Sequence, residues 1–193
     1  MNLPNSLTVL RIIFAPVFFL LYWIPFWAGF SSPVLYVLIW VVFLFIEVTD
    51  VIDGYLARKL DMVTDLGKLL DPFSDVISRI TYFISFAVVG IMHPVFCLII
   101  LYREFGIVFI RMILAQKGIA LAAGAGGKLK SVFYSLGAAA GLGMTGLGWF
   151  SDNAATQELF QLVTHGIFGI ATVLALVSFV QYLVIFRKAV RQQ

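Results

Sequence analysis

Residues 50–75, DVIDGYLARKLDMVTDLGKLLDPFSD, hold six of the ten acidic side chains in a 193-residue chain, and all six are aspartates. The chain around them avoids charge: 62% of residues are hydrophobic, 12% are charged and the mean hydropathy is +1.03. That balance is far from a water-soluble domain, so a lipid bilayer is the expected solvent. A spanning helix needs about 20 mainly apolar residues. Apolar runs at 7–28, 33–57, 66–90, 94–116, 129–150 and 158–186 supply six, separated by turn-forming or charged segments. The sequence therefore predicts an all-α integral membrane protein of six transmembrane helices. A short N-terminal juxtamembrane segment is expected at residues 2–11, where Asn5, Ser6, Thr8 and Arg11 interrupt Leu3, Leu7 and Leu10. Residues 1–193 are expected to form a single membrane domain.

A net charge of +3 and a pI near 9.1 suit membrane topology and anionic lipid, and no nucleic-acid partner is expected. The connections at 28–33, 90–94 and 150–158 lack Lys and Arg, whereas Arg58, Lys59, Lys117, Lys128, Arg187, Lys188 and Arg191 gather at the opposite helix ends. The positive-inside rule then predicts a multi-pass protein of the cell membrane with both termini cytoplasmic. The N-terminal segment lacks the charged leader and small-residue cleavage site of a signal peptide, so the first run is expected to be retained. Tyr22, Trp23, Trp27 and Trp149 fit an interfacial aromatic belt, and the single cysteine, Cys97, reads as core. Gly137, Gly141, Gly143, Gly146 and Gly148 read as a surface for close helix packing.

Crowded carboxylates repel one another unless a cation neutralises them, and an apolar chain gives them little water to do so. A metal site is the economical explanation, and hard oxygen ligands favour Mg²⁺ or Mn²⁺. Asp50 and Asp53 are three apart, and Asp71 and Asp75 four apart, so each pair shares one helical face. If the polar segment 61–65 is a cytoplasmic turn, two antiparallel helices bring the pairs together at the inner membrane surface. Four facing carboxylates can hold two ions, an arrangement that clamps attacking and leaving oxygens in phosphoryl transfer. Gly54, Ala57 and Gly67 leave room beside them, and Arg58 offers a fork for phosphate.

The pattern Asp50-Val-Ile-Asp53-Gly54-Tyr-Leu-Ala57-Arg58, then eight residues to Gly67, three to Asp71 and three to Asp75, resembles the signature of the CDP-alcohol phosphotransferases at eight identities. The resemblance implies a six-helix fold, often dimeric, so a homodimer is expected. It also implies that a hydroxyl attacks the lipid-linked phosphate of a CDP-alcohol and releases CMP. Carried over position by position, Asp50, Asp53, Asp71 and Asp75 look like ligands of two Mg²⁺ or Mn²⁺ ions, with Asp75 matching the general base. Asp50, Gly54, Ala57 and Arg58 match positions around the CDP moiety.

Asn5-Ser-Leu-Thr8-Val-Leu-Arg11, Arg103-Glu104-Phe-Gly-Ile-Val-Phe-Ile-Arg111 and Gly127-Lys128-Leu-Lys130-Ser131 are similar to phosphatidylglycerophosphate synthases. This likeness implies CDP-diacylglycerol and glycerol 3-phosphate as substrates. A phosphorylated acceptor needs cations, and Arg103, Arg111, Lys128 and Lys130 are the candidates. Arg103 lies deep in the fourth run and requires a partner or a polar cavity; Glu104, its helical neighbour, is expected to point elsewhere. Arg79, one turn past Asp75, is a candidate ion-pair partner for it, and Glu47, one turn before Asp50, either supports the site or bonds within the bundle. His93 and His165 read as structural. Ser74 and Val76 stand where such synthases usually carry alanine and lysine. Two other readings remain: a family member using another acceptor, such as inositol phosphate, and a cation transporter with intramembrane carboxylates, which would spread its acids through the membrane depth.

Overall fold

The computed structural model describes residues 3–60, 64–116 and 125–191, apart from the side chains of residues 3, 57, 58, 65, 66, 68, 69, 115, 125–128 and 190. Six helices run in chain order: α1 (Leu3–Ala28), α2 (Pro33–Lys59), α3 (Asp65–Val88), α4 (Pro94–Gln116), α5 (Ala125–Phe150) and α6 (Ala154–Arg191). No strand occurs among the described residues. Each predicted run is a helix, because roughly twenty consecutive apolar residues in lipid leave the backbone no partner but itself. α1, α2 and α6 are long and apolar enough to cross a membrane, over Pro4–Ala28, Pro33–Leu56 and Ala154–Ala189. α3 and α4 carry charge within their length, Asp71, Asp75 and Arg79 in one and Arg103, Glu104 and Arg111 in the other.

Local chemistry sets the helix ends. Gly29, at φ 71°, closes α1 and donates to the Pro25 carbonyl at 2.9 Å, a left-handed stop that glycine adopts without strain. Ser32 caps α2, its hydroxyl accepting from the Leu35 N–H at 3.1 Å, with Pro33 in the first turn. Gly90, at φ 80°, follows α3. His93 Nδ1 accepts from the Val95 N–H at the start of α4, and Asn153 Oδ1 accepts from the Thr156 N–H at the start of α6.

The chain divides into two packed units. The first contains α1, α2 and α3 as far as Phe86, with Trp149–Ser151. Its core is aromatic: Tyr82 meets Phe18 edge-on at 4.6 Å and Phe43 at 5.3 Å, and Tyr22 meets Phe86 at 5.6 Å. Tyr22, expected in an interfacial belt, is thus a core residue with only 1% exposure; its partners on α3 decide this, and they are distant in sequence. Trp27 is exposed, as a belt residue should be. Along α2, Val34, Val37, Leu38, Val41, Leu44 and Val48 form an exposed apolar stripe, a liability in water and a natural lipid-facing surface in a bilayer.

The second unit contains α4, most of α5 and α6. α4 packs along α6, and Gly106 permits it: a Cβ there would lie 2.8 Å from the Phe179 ring. Gly137 and Gly143 likewise admit Phe168 and Phe160 of α6, with hypothetical Cβ contacts of 2.7 and 3.1 Å. Gly137 and Gly143 of the α5 run are therefore close-packing positions, as small-residue spacing predicts, whereas Gly148 of the same run meets nothing within 4 Å. His165 pairs with Gln161 at 2.9 Å, and Cys97 is a buried free thiol.

Candidate active site

The aspartates meet as their spacing requires. α2 supplies Asp50 and Asp53 from one face, and α3 supplies Asp71 and Asp75 from another. The structure adds a side chain that the sequence reading leaves without a role. The polar start of α1 is continuous with the helix, and Asn5, Thr8 and Arg11, three residues apart, are buried on a single face. Arg11 lies at the centre of the array. Its Nη1 donates to Asp50 Oδ1 and, at 2.8 Å, to Asp75 Oδ1; its Nη2 donates to Asp53 Oδ2 at 2.7 Å and Asp71 Oδ1 at 2.8 Å. Arg79, one turn past Asp75, pairs with its other oxygen at 3.2 Å, as the four-residue spacing predicts. Among these six side chains, four carboxylates face two guanidiniums, leaving two formal negative charges.

Neighbouring contacts fix this placement. Thr8 Oγ1 donates to Asp53 Oδ2 at 2.9 Å, and Ser74 Oγ donates to the Thr8 carbonyl at 3.3 Å. Ser74 is fully buried, so the hydroxyl that replaces the usual alanine gains a bond to α1. Val76, in place of lysine, packs in the core. Thr64 caps α3, accepting from the Gly67 N–H at 2.9 Å, and also accepts from Asn5 Nδ2 at 2.9 Å. A Cβ on Gly67 would lie 2.7 Å from Asn5 Oδ1. Only glycine lets α1 approach the start of α3 so closely, which agrees with its reading as a space-making residue.

One carboxylate oxygen from each of Asp50, Asp53 and Asp71 lies within 4.8 Å of the others. Adjacent ligands of an octahedral Mg²⁺ are about 3.0 Å apart and opposite ones about 4.2 Å, so the trio surrounds a point that an ion could occupy once the carboxylates draw in around it. The donor set is all hard oxygen and fits that ion class. Asp53 is the deepest member, its side chain 4% exposed, against 25% for Asp75, 35% for Asp50 and 53% for Asp71. The array is thus closed on the Asp53 side and open on the Asp71 side. Gly54 follows Asp53 on α2; Ala57 and Arg58 lie in the same helix, with side chains outside the described residues.

The second unit carries a different cluster. Arg103 Nη1 and Lys130 Nζ share one oxygen, Glu104 Oε1, at 2.8 and 2.7 Å. Arg103 Nη2 also donates to Ser178 Oγ at 2.6 Å, and Lys130 stands over the Tyr134 ring at 4.5 Å. Glu104 is therefore the partner of Arg103, contrary to the expectation from helical spacing. Adjacent Cβ atoms do diverge, but the long arginine stem brings its guanidinium round to the neighbouring carboxylate. Arg111 does not join this cluster: it donates to Tyr182 Oη at 3.1 Å. Lys128 lies on α5 with its side chain outside the described residues.

Residues 1–184 match the family model described as CDP-alcohol phosphatidyltransferase. A CDP-diacylglycerol–glycerol-3-phosphate 3-phosphatidyltransferase of Treponema pallidum (strain Nichols) is 34% identical over 200 residues, covering 96% of this chain and 89% of the relative. The protein of that name from Bacillus subtilis (strain 168) is 35% identical over 136 residues, covering 67% of this chain and 70% of the relative. The one from Rickettsia bellii (strain RML369-C) is 38% identical over 114 residues, covering 59% and 60%. With four carboxylates converging from the signature segment and a family match across nearly its whole length, this membrane chain belongs to the CDP-alcohol phosphatidyltransferase family.

Proposed function

We propose that this enzyme transfers the phosphatidyl group of CDP-diacylglycerol to glycerol 3-phosphate and releases CMP, a step of phospholipid synthesis. The observation that carries the reading is the convergence of Asp50, Asp53, Asp71 and Asp75 on one point. The names of the relatives support the choice of substrates. The family is generally dependent on a divalent metal, and the acidic trio is a group able to hold one. Two ions, Mg²⁺ or Mn²⁺, are proposed, and they would polarise the pyrophosphate and stabilise the departing CMP.

The chain's own groups do the rest. Asp50, Asp53 and Asp71 supply ligand oxygens, and Asp75 can contribute a further one. Asp75 is also the proposed general base: partly exposed and held by Arg79, it takes the proton of the acceptor hydroxyl as that oxygen bonds to phosphorus and the phosphorus–oxygen bond to CMP breaks. Asp50, Gly54, Ala57 and Arg58 are proposed to bind the CDP moiety. Arg103 and Lys130, with Arg111 and Lys128, are proposed to hold the acceptor's phosphate. Residues 1–193 are read as one catalytic domain, working as a homodimer with termini and active site on the cytoplasmic side, where the Lys and Arg residues gather.

Purified protein with Mg²⁺ should release CMP from CDP-diacylglycerol only when glycerol 3-phosphate is present. Release driven by inositol phosphate instead would overturn the acceptor. Metal flux across vesicles without CMP formation would replace the enzyme reading with a transporter.

A further inference from the structure

Arg11 poses a problem of occupancy. All four of its terminal N–H bonds are spent on the array, two from each nitrogen, on four different carboxylates. Its Nε is buried without a hydrogen-bond partner among the described residues, so the hydrogen bonds of this side chain are all made at its tip. Oxygens of Asp50, Asp53 and Asp71 are the same groups that a divalent ion would need, and they already lie within 4.8 Å of one another. A carboxylate that closes on a metal draws its lone pairs away from a guanidinium, and two cations in one low-dielectric pocket repel.

We propose that Arg11 is the resident counter-ion of the aspartate array when no metal is bound, and that it competes with the divalent ion for the same carboxylates. This rests on the reading of the array as a divalent-metal site. The guanidinium keeps four carboxylates together that would otherwise push α2 and α3 apart, and it lowers the affinity with which a metal enters. Metal binding exchanges one cation for another, and Arg11 gives up some of its four bonds when that happens. A merely organising role has the opposite signature: an arginine that only pre-shapes the ligands would strengthen metal binding, and its loss would weaken it.

The test compares the full chain in detergent as wild type, Arg11→Met and Arg11→Lys, without lipid substrate, by titrating Mn²⁺ and measuring the free ion by electron paramagnetic resonance. Arg11→Met should bind Mn²⁺ about tenfold or more tightly than wild type, since a positive charge has left the pocket. It should also melt earlier in chelator and gain more in Tm on adding Mn²⁺. Arg11→Lys, one ammonium in place of a four-way fork, should fall between the two. Equal or weaker Mn²⁺ binding by Arg11→Met overturns the proposal. If Arg11→Met does not fold even with Mn²⁺ present, Arg11→Lys decides: severalfold tighter binding supports competition, and unchanged or weaker binding overturns it. Absence of Mn²⁺ binding by folded wild type and by both variants would instead remove the metal-site reading, a result separable from both.

Discussion

The two units bury charge in inverse ways. In the first, four carboxylates surround one guanidinium at graded depth, from Asp53 at 4% exposure to Asp71 at 53%. In the second, an arginine and a lysine share one carboxylate oxygen, and all three side chains are 5–6% exposed. The first cluster is open on one side and carries excess negative charge among its own members. The second is closed and tied to Ser178 by a short bond. Disturbing the aspartates should therefore cost chemistry first, and disturbing the Glu104 cluster should cost stability first.

The sharpest break would come from the aspartates themselves. Asp75→Asn should lower CMP formation about a thousandfold while keeping Mn²⁺ binding, whereas Asp50→Asn, Asp53→Asn and Asp71→Asn should lose both. Equal metal loss in all four would erase the distinction between ligand and base. Next, Glu104→Gln removes the one anionic oxygen that two buried cations share and should cost about 3–5 kcal/mol in unfolding experiments. Removing one cation as well, in Glu104→Gln with Lys130→Met, should recover much of that. If Glu104→Gln proves neutral, the second cluster is not closed in the sense described.

Smaller effects refine the contrast. Arg103→Gln should raise KM for glycerol 3-phosphate by about tenfold or more, the worth of a lost charge-assisted bond, with KM for CDP-diacylglycerol unchanged. A matching rise in both would deny the second unit a specific role in acceptor binding. Smallest is Gly67→Ala, which should cost about 1 kcal/mol as Asn5 moves aside. Gly148→Ala, with nothing within 4 Å of its Cβ, is the control and should be neutral or slightly stabilising in a thermal melt.

Much of this was legible in the chain. Helix positions followed from apolar runs interrupted by turns, and α2 and α4 begin at residues 33 and 94, where two of those runs begin. The aspartate pairs were legible because spacings of three and four have one meaning on a helix. Arg11 was not, because Asn5, Thr8 and Arg11 also spell an amphipathic surface segment; periodicity tells which residues share a face but not what that face meets. A signal did exist, since an arginine at the head of an apolar helix demands a partner. The pairing of Arg103 with Glu104 was hidden for another reason: helical spacing constrains Cβ atoms, and a guanidinium several bonds further out escapes that constraint. Tyr22 was misplaced because core and belt aromatics look alike until the opposing helix is known.

The position of Arg11 on the first helix also bears on how the protein is made. Its partners Asp50 and Asp75 follow it by 39 and 64 residues, so the ribosome delivers the cation well before any of the anions. An arginine at the centre of a spanning helix carries an insertion penalty of about 2.5–3.5 kcal/mol, and one near the helix start, as Arg11 is, a smaller one. Until α2 and α3 are made, α1 carries its arginine without the carboxylates that it meets in the folded protein. The same bonds that gather the aspartates thus also tie the start of the first helix to the two helices made after it.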